Sequence, residues 1–362
     1  EVTASHNPID YNGMKLVGRG AAPLDPDGDF AKVAALARSG AFAPADRQGT
    51  TRDFPQARAA YVRAMADFVD IAALRPLTVL VNAGNGTAGP TFDAIADELA
   101  RRGAALRFVR VNHQPDPAFP NGIPNPLLPE NQPMTADAVR AHGADLGVAW
   151  DGDFDRCFFF DETGAFIPGE YIVGLLAAAF LEKHPGEKIV HDPRVVLNTR
   201  AMIAEAGGQA VQARTGHAYL KRAMRESGAI YGGEMSAHHY FRDFHFADSG
   251  MVPWLLVAEL VSRKNTSLGA LLAQRMRAFP SSGEINFRLA DPDAAIARVV
   301  AHFAPQALRR DDMDGISLEF QDWRFNLRRS NTEPVVRLNL ESRGDAALVA
   351  TRRAEIEALL AG

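Results

Sequence analysis

The feature that most constrains the fold is the repeated alternation of strand and helix patterns along the chain. Short apolar runs typical of buried strands are followed by turn residues and then by segments with helical spacing. Such an alternation predicts layered α/β domains with mainly parallel strands. The chain has 362 residues, which exceeds what one core accommodates, so several domains are expected.

The pattern repeats twice and then changes. The first unit is predicted to have strands at 77–82, 105–111 and 146–150, a helix ending near Arg102, another at 136–142, and an extended loop over 113–133, which holds seven prolines. Asp53 is expected to cap a helix that runs through Leu74. The second unit is predicted to have helices at 170–183, 198–206 and 217–226, strands at 188–191, 209–213 and 229–232, and closing helices at 250–264 and 267–277. The similarity of the units hints at duplicated domains.

From about residue 280 the strands cluster. They are predicted at 283–289, 315–320, 322–327 and 335–340, with helices at 292–303 and 345–361. Strands grouped in this way and flanked by two helices predict a smaller α+β domain at the end of the chain.

The composition excludes several classes of function. A net charge of −5 gives no general attraction to nucleic acid or anionic membranes, so neither is expected as a partner. The longest apolar stretch, Ile172–Leu181, is ten residues long, too short to span a bilayer, and no signal peptide is recognised. The single cysteine, Cys157, excludes intrachain disulfides and fits a reducing, cytoplasmic location. We expect it to be buried on a strand.

The motif Asp-Gly-Asp-Phe-Asp-Arg at 151–156 carries the strongest chemical signal. It follows the apolar run 146–150, so a buried strand would aim the carboxylates of Asp151, Asp153 and Asp155 at one point. Convergent oxygen ligands suit Mg²⁺, and Arg156 can grip a phosphate with two parallel hydrogen bonds. Metal and arginine together indicate phosphoryl transfer.

Three other interpretations of this motif must be considered. Asp-x-Asp after a strand also opens the aspartyl-phosphate phosphatases, in which Asp151 would be the nucleophile. A calcium loop would use Asp151, Asp153, Asp155 and Glu162, but it requires glycine where Arg156 stands and a helix before the loop. A solvated turn after a strand is the plainest alternative, and it stays open with the phosphatase.

A second candidate site lies near the start of the chain, in Thr-Ala-Ser-His-Asn-Pro at 3–8. The hydroxyl of Ser5 in such a turn could act as a nucleophile, oriented by His6. Lys15 could reach back as a proton donor or phosphate contact. The same residues also suit an ordinary turn.

Two loops of the second unit carry polar groups just after predicted strands. Thr215, Gly216 and His217 precede a helix, whose N-terminus could serve an anionic or hydroxyl-rich ligand. In the loop at 232–239, an extended backbone would place three alternating side chains on one face, where they would suit the vicinal hydroxyls of a sugar. These side chains belong to Glu234, Ser236 and His238.

The last domain has one such loop, at 328–334. Arg328 with Ser330, Asn331 and Thr332 would form a compact cradle for an oxyanion, although a polar hairpin would have the same composition. Because ligands of α/β sheets bind beyond the carboxyl ends of strands, we expect all four loops to share one central cleft.

These motifs together resemble the α-D-phosphohexomutase family, most closely its bacterial mannose/glucose group. The matches follow family order nearly end to end: Thr-Ala-Ser-His-Asn-Pro at 3–8, Asn-Gly-Met-Lys at 12–15, Asp-Gly-Asp-Phe-Asp-Arg at 151–156, Thr-Gly-His at 215–217, Gly-Glu-Met-Ser-Ala-His at 233–238 and Arg-x-Ser-Asn-Thr-Glu-Pro at 328–334.

The resemblance implies a role for each matched residue. Ser5 would carry a phosphate that binds Mg²⁺ together with Asp151, Asp153 and Asp155, and Arg156 and His6 would contact that phosphate. Lys15 and His217 would be candidates for acid–base work. Glu234 and Ser236 would hold sugar hydroxyls, while Arg328, Ser330, Asn331 and Thr332 would hold the non-reacting phosphate.

The implied enzyme interconverts hexose 6-phosphates and hexose 1-phosphates through a 1,6-bisphosphate, as a monomer or weak homo-oligomer. Its implied fold is multidomain α/β: three related mixed α/β domains, the first partial, and a C-terminal α+β domain. The expected boundaries are 1–52, 53–156, 157–279 and 280–362. The family's segment before the serine loop is absent, and the chain opens at the end of a predicted strand, so an inactive sugar-phosphate-binding fragment is an alternative.

Overall fold

The computed structural model describes residues 1–25, 28–329 and 335–362. Its helices are α1 Asp29–Ser39, α2 Gln56–Ala66, α3 Ala88–Arg101, α4 Gln132–His142, α5 Gly169–Lys183, α6 Leu197–Glu205, α7 His217–Ser227, α8 Met251–Arg263, α9 Leu268–Ala278, α10 Pro292–Phe303 and α11 Ala346–Ala361. Its strands are β1 Leu77–Asn82, β2 Leu106–Val111, β3 Leu146–Trp150, β4 Cys157–Phe160, β5 Phe166–Ile167, β6 Lys188–His191, β7 Gln209–Gln212, β8 Tyr231–Gly233, β9 His239–Phe241, β10 Ala247–Asp248, β11 Ser281–Arg288, β12 Arg309–Asp311, β13 Ile316–Glu319, β14 Trp323–Arg329 and β15 Val335–Ser342.

The first two sheets have the same topology. In the first sheet the strand order is β2-β1-β3-β4-β5, and in the second it is β7-β6-β8-β9-β10. In both, the first three strands in chain order are parallel, and the last two add as antiparallel hairpins. This equivalence is what a duplicated α/β unit would produce.

The shared topology makes two loops equivalent. The acidic loop, residues 151–156, joins β3 to β4, and the loop at 234–238 joins β8 to β9. Arg156 and His238, at the ends of these loops, form an antiparallel β-bridge, and the N–H of Cys157 donates to the carbonyl of Ala237 at 3.2 Å. The two units therefore meet at corresponding hairpin turns.

The strands that lead into the acidic loop are buried because both faces are covered. Every residue of β3 is buried, as expected for a central strand of an α/β sheet. Phe92 of α3 packs against Trp150 at the end of β3 and against Trp254 of α8, with ring centroids 5.6 and 5.4 Å apart. This aromatic cluster joins the cores of the first and second units just beneath the acidic loop.

The third sheet is antiparallel, with strand order β11-β15-β14-β13-β12. Its central strands alternate strictly, so that Phe325, Leu327, Leu338 and Leu340 enter a core with α10 and α11. The polar residues between them occupy the opposite face of the sheet. The predicted α+β domain is thus present, with a mainly apolar face and a mainly polar face.

The segment 1–52 has a different character. Its described residues form α1, a short 3-10 helix at Arg19–Ala21 and two isolated bridges, Val2–Met14 and Val17–Pro23, and none of them is buried. Among the described residues of the whole chain, no helix combines the length and apolar character needed to cross a membrane.

Several sequence predictions differ from the structure. The helix expected to start at Asp53 begins at Gln56 and ends at Ala66, because Phe54 precedes Pro55 and is biased away from helical backbone angles. The boundary expected between 156 and 157 falls inside one sheet, since β4 pairs with β3. The hairpin strands β5, β9 and β10 and helix α1 were not predicted.

Candidate active site

The turn at Ser5 is pressed against the acidic loop. Ser5 has a positive φ of 54°, and its N–H donates to Oγ1 of Thr3 at 2.9 Å. Oγ1 of Thr3 in turn donates to Asp153 at 2.8 Å. A Cβ built on Gly152 would collide with the carbonyl oxygen of Ser5. Glycine at 152 therefore allows the two backbones to approach closely enough for the serine side chain to reach the carboxylates.

The Ser5 hydroxyl lies at the centre of a hydrogen-bonded group. Its Oγ donates to Oδ2 of Asp151 at 3.2 Å, lies 3.0 Å from Nδ1 of His6 and accepts from Nη2 of Arg156 at 3.3 Å. Nη2 of Arg156 also donates to Nδ1 of His6. The structure thus brings together four residues that the sequence singled out, from positions 150 residues apart in the chain.

Asp151 and Arg156 form a buried ion pair beneath Ser5. Oδ2 of Asp151 accepts from Nε of Arg156 at 2.7 Å, Oδ1 accepts from the backbone N–H of Arg156 at 3.2 Å, and Asp151 is fully buried. Burial raises the pKa of Asp151 to about 7, against the opposing effect of Arg156 and with a further rise from Asp155 and Asp153. The carboxylates are crowded enough that a cation among them would be stabilising.

The carboxylates of the acidic loop fit a hard divalent cation. Asp151, Asp153 and Asp155 each offer an oxygen, and these oxygens lie within 4.8 Å of one another. Among the described residues, Oδ1 of Asp153 and Oδ1 of Asp155 are buried and have no hydrogen-bond partner. Oxygen ligands with free lone pairs are what Mg²⁺ or Ca²⁺ requires, so the predicted ligands converge as expected for a metal site.

Lys15 contacts the carboxylates of the acidic loop, which is compatible with the prediction that it reaches back toward the site. Its Nζ donates to Oδ2 of Asp155 at 2.5 Å and to Oδ2 of Asp153 at 3.2 Å. Burial lowers the pKa of Lys15, but the charges of the two aspartates outweigh this effect and raise it.

His6 is in a cationic environment by contrast. Burial, followed by the positive charge of Arg156, lowers its pKa to about 4. Its imidazole is therefore neutral at pH 7 and can accept a hydrogen bond.

A cavity of about 790 Å³ opens beside this group. It is lined by Ser5, Lys15, Asp153 and Asp155 together with the first residues of the chain and part of α2. The loop at 234–238 and Arg328 do not line it, so this cavity does not join all four loops, and their sharing of one central cleft stays a prediction.

A second group of charges adjoins the acidic loop through His238. Nδ1 of His238 lies 3.3 Å from Oδ2 of Asp248 and 3.8 Å from Oδ1 of Asp155. Asp248 also pairs with Lys221 at 2.7 Å. Burial lowers the pKa of His238, but the hydrogen bond to Asp248 and the charge of Asp155 outweigh it and raise the pKa. Asp248 and Lys221 had no signal in the sequence, because neither belongs to a local motif.

His217 begins α7 close to this group. Burial lowers its pKa, and the charge of Lys221 adds to the effect, whereas the charge of Asp248 opposes it without reversing it. The lowered pKa keeps the imidazole largely neutral at pH 7, the form that has a nitrogen free to accept a proton. The other predicted residues of this turn lie beside it: Oγ1 of Thr215 is buried with no hydrogen-bond partner among the described residues, and the N–H of Gly216 donates to Glu234 at 3.3 Å.

The loop at 234–238 is a tight turn and not the extended strand expected. The N–H of Ala237 donates to the carbonyl of Glu234 at 3.0 Å, and Ala237 has a φ of 71°. The prediction that Glu234, Ser236 and His238 share one strand face is therefore wrong. His238 points to Asp248, whereas Glu234 and Ser236 are joined by Arg194, whose Nη2 lies 3.4 Å from Oε2 of Glu234 and 3.2 Å from Oγ of Ser236.

Arg194 was missed by the sequence analysis. It follows β6 in Asp192-Pro193-Arg194, and its Nε donates to Asp192 at 2.8 Å. A strand followed by Asp-Pro-Arg at the carboxyl edge of a sheet could have indicated a ligand position. Nη1 of Arg194 lies 3.8 Å from Oε2 of Glu284 in the last domain.

Arg328 contacts the carboxylate of Glu284 as well. Its Nη2 donates to Oε2 of Glu284 at 2.7 Å, and Arg337 lies 3.5 Å from Oε1. Glu284 thus links the predicted phosphate-gripping arginine to Arg194. Ser330, Asn331 and Thr332 lie outside the described residues.

Comparisons with known proteins identify the family of this chain. Three family models match: phosphoglucomutase/phosphomannomutase alpha/beta/alpha domain II over residues 59–164, alpha/beta/alpha domain III over 168–279 and the C-terminal domain over 284–359. The chain therefore belongs to the phosphoglucomutase/phosphomannomutase family, as the motifs indicated.

Individual relatives agree with this assignment. The chain is 59% identical to a phosphomannomutase of Salmonella montevideo over 362 residues, covering 99% of this chain and 79% of the relative. It is 56% identical to the phosphohexose mutases of Xanthomonas campestris, with 100% and 79% covered. A solved phosphoglucomutase/phosphomannomutase family protein from Burkholderia thailandensis shares 30% identity with a TM-score of 0.84, over 99% of this chain and 75% of that chain.

The close approach at Gly152 can be tested by substitution. Gly152→Ala is expected to displace the Ser5 turn, because the added Cβ meets a backbone oxygen that cannot rotate away. A misplacement of about 1 Å at a reacting group costs about 100-fold in rate, so we expect a fall of that order in turnover of sugar phosphates. Gly49→Ala, where an added Cβ meets nothing within 4 Å, is the matched control, and an equal effect of both changes would contradict the geometry.

Proposed function

We propose that this protein is a phosphohexose mutase that interconverts mannose 6-phosphate and mannose 1-phosphate, and the corresponding glucose phosphates, through a phosphoserine at position 5 and a hexose 1,6-bisphosphate. The contacts of the Ser5 hydroxyl carry the proposal. They combine a nucleophile, an acidic metal-ligand group and a guanidinium within hydrogen-bond distance. Relatives named phosphomannomutase at 56–59% identity support the choice of sugar.

The geometry favours this mechanism over an aspartyl-phosphate phosphatase. Asp151, the nucleophile of that alternative, is fully buried and has both oxygens engaged by Arg156 and Ser5. A nucleophile must be open on one side to an incoming phosphate. Ser5 lines the cavity instead, so it is the better placed of the two.

In the proposed first step, the phosphate of phosphoserine 5 moves to the free hydroxyl of the substrate. The bond between phosphorus and Oγ of Ser5 breaks as a bond between phosphorus and the sugar oxygen forms. The sugar hydroxyl loses its proton to a base, for which neutral His217 is the candidate, and Lys15 is the candidate donor of a proton to Ser5. The bisphosphate then turns over and returns its other phosphate to Ser5 by the reverse step.

Mg²⁺ is the cation we propose for the acidic loop, held by Asp151, Asp153 and Asp155 with the Ser5 phosphate. When bound, it would neutralise charge on the transferring phosphoryl group. Arg156 is held by Asp151 so that its Nη2 points at Ser5 and His6, and it would spread the same charge from the protein side. His6, as a neutral imidazole, would hydrogen-bond to the phosphate or to Arg156.

The rest of the substrate would lie toward the second unit and the last domain. Glu234 and Ser236 would hold sugar hydroxyls, with Arg194 between them, and Thr215, Gly216 and His238 would line the same part of the cleft. Arg328, with Ser330, Asn331 and Thr332, would bind the phosphate that is not reacting. Glu284 contacts Arg328 and lies close to Arg194, so the two guanidinium groups lie on the same carboxylate.

The proposed phosphate on Ser5 is tested by measuring the mass of the intact protein. Intact-mass measurement of the purified protein is expected to show one phosphate that is missing from Ser5→Ala, because Ser5 is the hydroxyl that contacts Asp151, His6 and Arg156 among the described residues. Ser39→Ala, an exposed serine of α1, should keep the phosphate. An active Ser5→Ala protein together with an inactive Asp151→Asn protein would favour the phosphatase instead.

The proposed metal site is tested by measuring its affinity for Mg²⁺. Asp153→Asn removes one charged ligand, so Mg²⁺ affinity measured by calorimetry should fall more than about tenfold, since even residues that only orient metal ligands have effects of that size. Asp97→Asn, an exposed change on α3, should leave the affinity unaltered. Equal Mg²⁺ affinity in wild type and Asp153→Asn would overturn the ligand assignment.

The proposed role of Arg328 in binding the second phosphate is tested by measuring how much bisphosphate intermediate escapes into solution. Arg328→Lys loses the planar fork that binds two phosphate oxygens at once, so more labelled 1,6-bisphosphate should appear in solution before turnover is complete. Arg329→Lys is the control, because Arg329 is next in sequence but exposed and paired with Asp293 at 3.0 Å. The same yield of free bisphosphate from both variants would leave Arg328 without this role.

A further inference from the structure

A buried ion pair joins the last domain to the loop that carries Arg194. Arg324 of β14 and Glu341 of β15 are direct cross-strand neighbours, and Nη1 of Arg324 lies 2.7 Å from Oε1 of Glu341. Their relative exposures are 2% and 1%, so both charges are removed from water. A buried pair of this kind is costly unless its remaining hydrogen-bonding groups are also satisfied.

The remaining hydrogen-bonding groups of both side chains bond to the same backbone segment of the second unit. Nη1 of Arg324 donates to the carbonyl of Arg194 and Nη2 to the carbonyl of Pro193, both at 2.8 Å. Glu341 accepts from the N–H groups of Val196 and Leu197 at 2.7 and 2.9 Å. The Arg194 loop, residues 192–196 between β6 and α6, is therefore held on both sides of Arg194 by one ion pair.

The loop needs this support because it cannot complete its own helix start. Val196 stands at the N-cap of α6, where its apolar side chain offers no acceptor, and no side-chain cap is present. The first N–H groups of a helix require acceptors, and a carboxylate there also interacts favourably with the helix dipole. Glu341 supplies both from another domain.

The side chain on this loop that concerns the proposed function is that of Arg194. It contacts Asp192, Glu234 and Ser236 and approaches Glu284, the partner of Arg328. Any shift of the backbone at 193–194 would thus move the guanidinium that lies between the proposed sugar contacts and the proposed phosphate grip.

We propose that Arg324 and Glu341 form a positioning latch, the Arg324–Glu341 latch, which fixes Arg194 in the substrate cleft from the last domain. The proposal rests on the proposed function for its substrate. The latch residues do not touch the substrate; they act through the backbone of the Arg194 loop. Strand β14 also carries Arg328, four residues beyond Arg324, so the latch also sets the distance between Arg194 and the proposed phosphate grip.

The test compares three variants of the protein with mannose 1-phosphate as substrate. Glu341→Gln and Arg324→Lys weaken the latch, whereas Glu319→Gln removes an ion pair at 3.4 Å to Arg200, which joins the same two parts of the molecule without touching the Arg194 loop. Loss of a buried charged hydrogen bond corresponds to about tenfold or more. We expect KM to rise about tenfold in the two latch variants, with kcat changed much less, and to stay unchanged in Glu319→Gln.

A double-mutant cycle separates positioning from general damage. In an Arg194→Met background, Glu341→Gln should raise KM by less than about twofold further, because residues that act through one another are not additive. Hydrogen exchange at the amides of Val196 and Leu197, measured without substrate, should be faster in Glu341→Gln. Should Glu341→Gln fail to fold, the charge-conserving Arg324→Lys takes its place in the cycle.

The outcomes distinguish the latch from the proposed function. An active wild type whose KM is unchanged in both latch variants, or a fully additive cycle, would overturn the latch. An inactive wild type without phosphate on Ser5 would overturn the proposed function, whatever the exchange rates at 196 and 197.

Discussion

The buried ion pair between Asp151 and Arg156 is the interaction on which the rest of the site depends. Breaking such a pair leaves an uncompensated buried charge, which costs about 3–5 kcal/mol. The carboxylate of Asp151 accepts from Nε and from the backbone N–H of Arg156, so the acidic loop closes on itself. That closed loop presents its carboxylates to the Ser5 turn and bridges to His238 of the neighbouring unit.

The repeated topology of the first two sheets explains why these parts meet. The first two sheets repeat one topology, and each uses the hairpin after its third strand to carry chemistry: carboxylates in one, Glu234 and Ser236 in the other. Because the two hairpins pair directly, the proposed metal ligands and the proposed sugar contacts are neighbours without any long connection. The antiparallel last domain then joins through its polar face, where Arg324 and Glu341 contact the Arg194 loop.

The sequence predicted the layers well and the contacts between them poorly. Strands at 77–82, 146–150 and 188–191 have the predicted bounds, because apolar runs between turn residues leave little choice of structure. The tight turn at Ala237 was missed, since its positive φ occurs in the loop that contacts the start of β4 and not at a residue that favours this conformation. Arg194 follows β6 in Asp-Pro-Arg, a pattern that could have indicated it, whereas Asp248 and Glu284 belong to no local motif, so their contacts appear only in the folded chain. Asp151, Asp153, Asp155 and Arg156 could be predicted because their motif is local.

The central claim is that the phosphate on Ser5 is passed to a sugar and back. The most direct measurement is to label the phosphoserine with ³²P, add unlabelled mannose 1-phosphate in a single turnover, and separate the products. The account predicts that the label leaves the protein and appears first in mannose 1,6-bisphosphate and then in mannose 6-phosphate. Label recovered as inorganic phosphate, or label that stays on the protein, would contradict it.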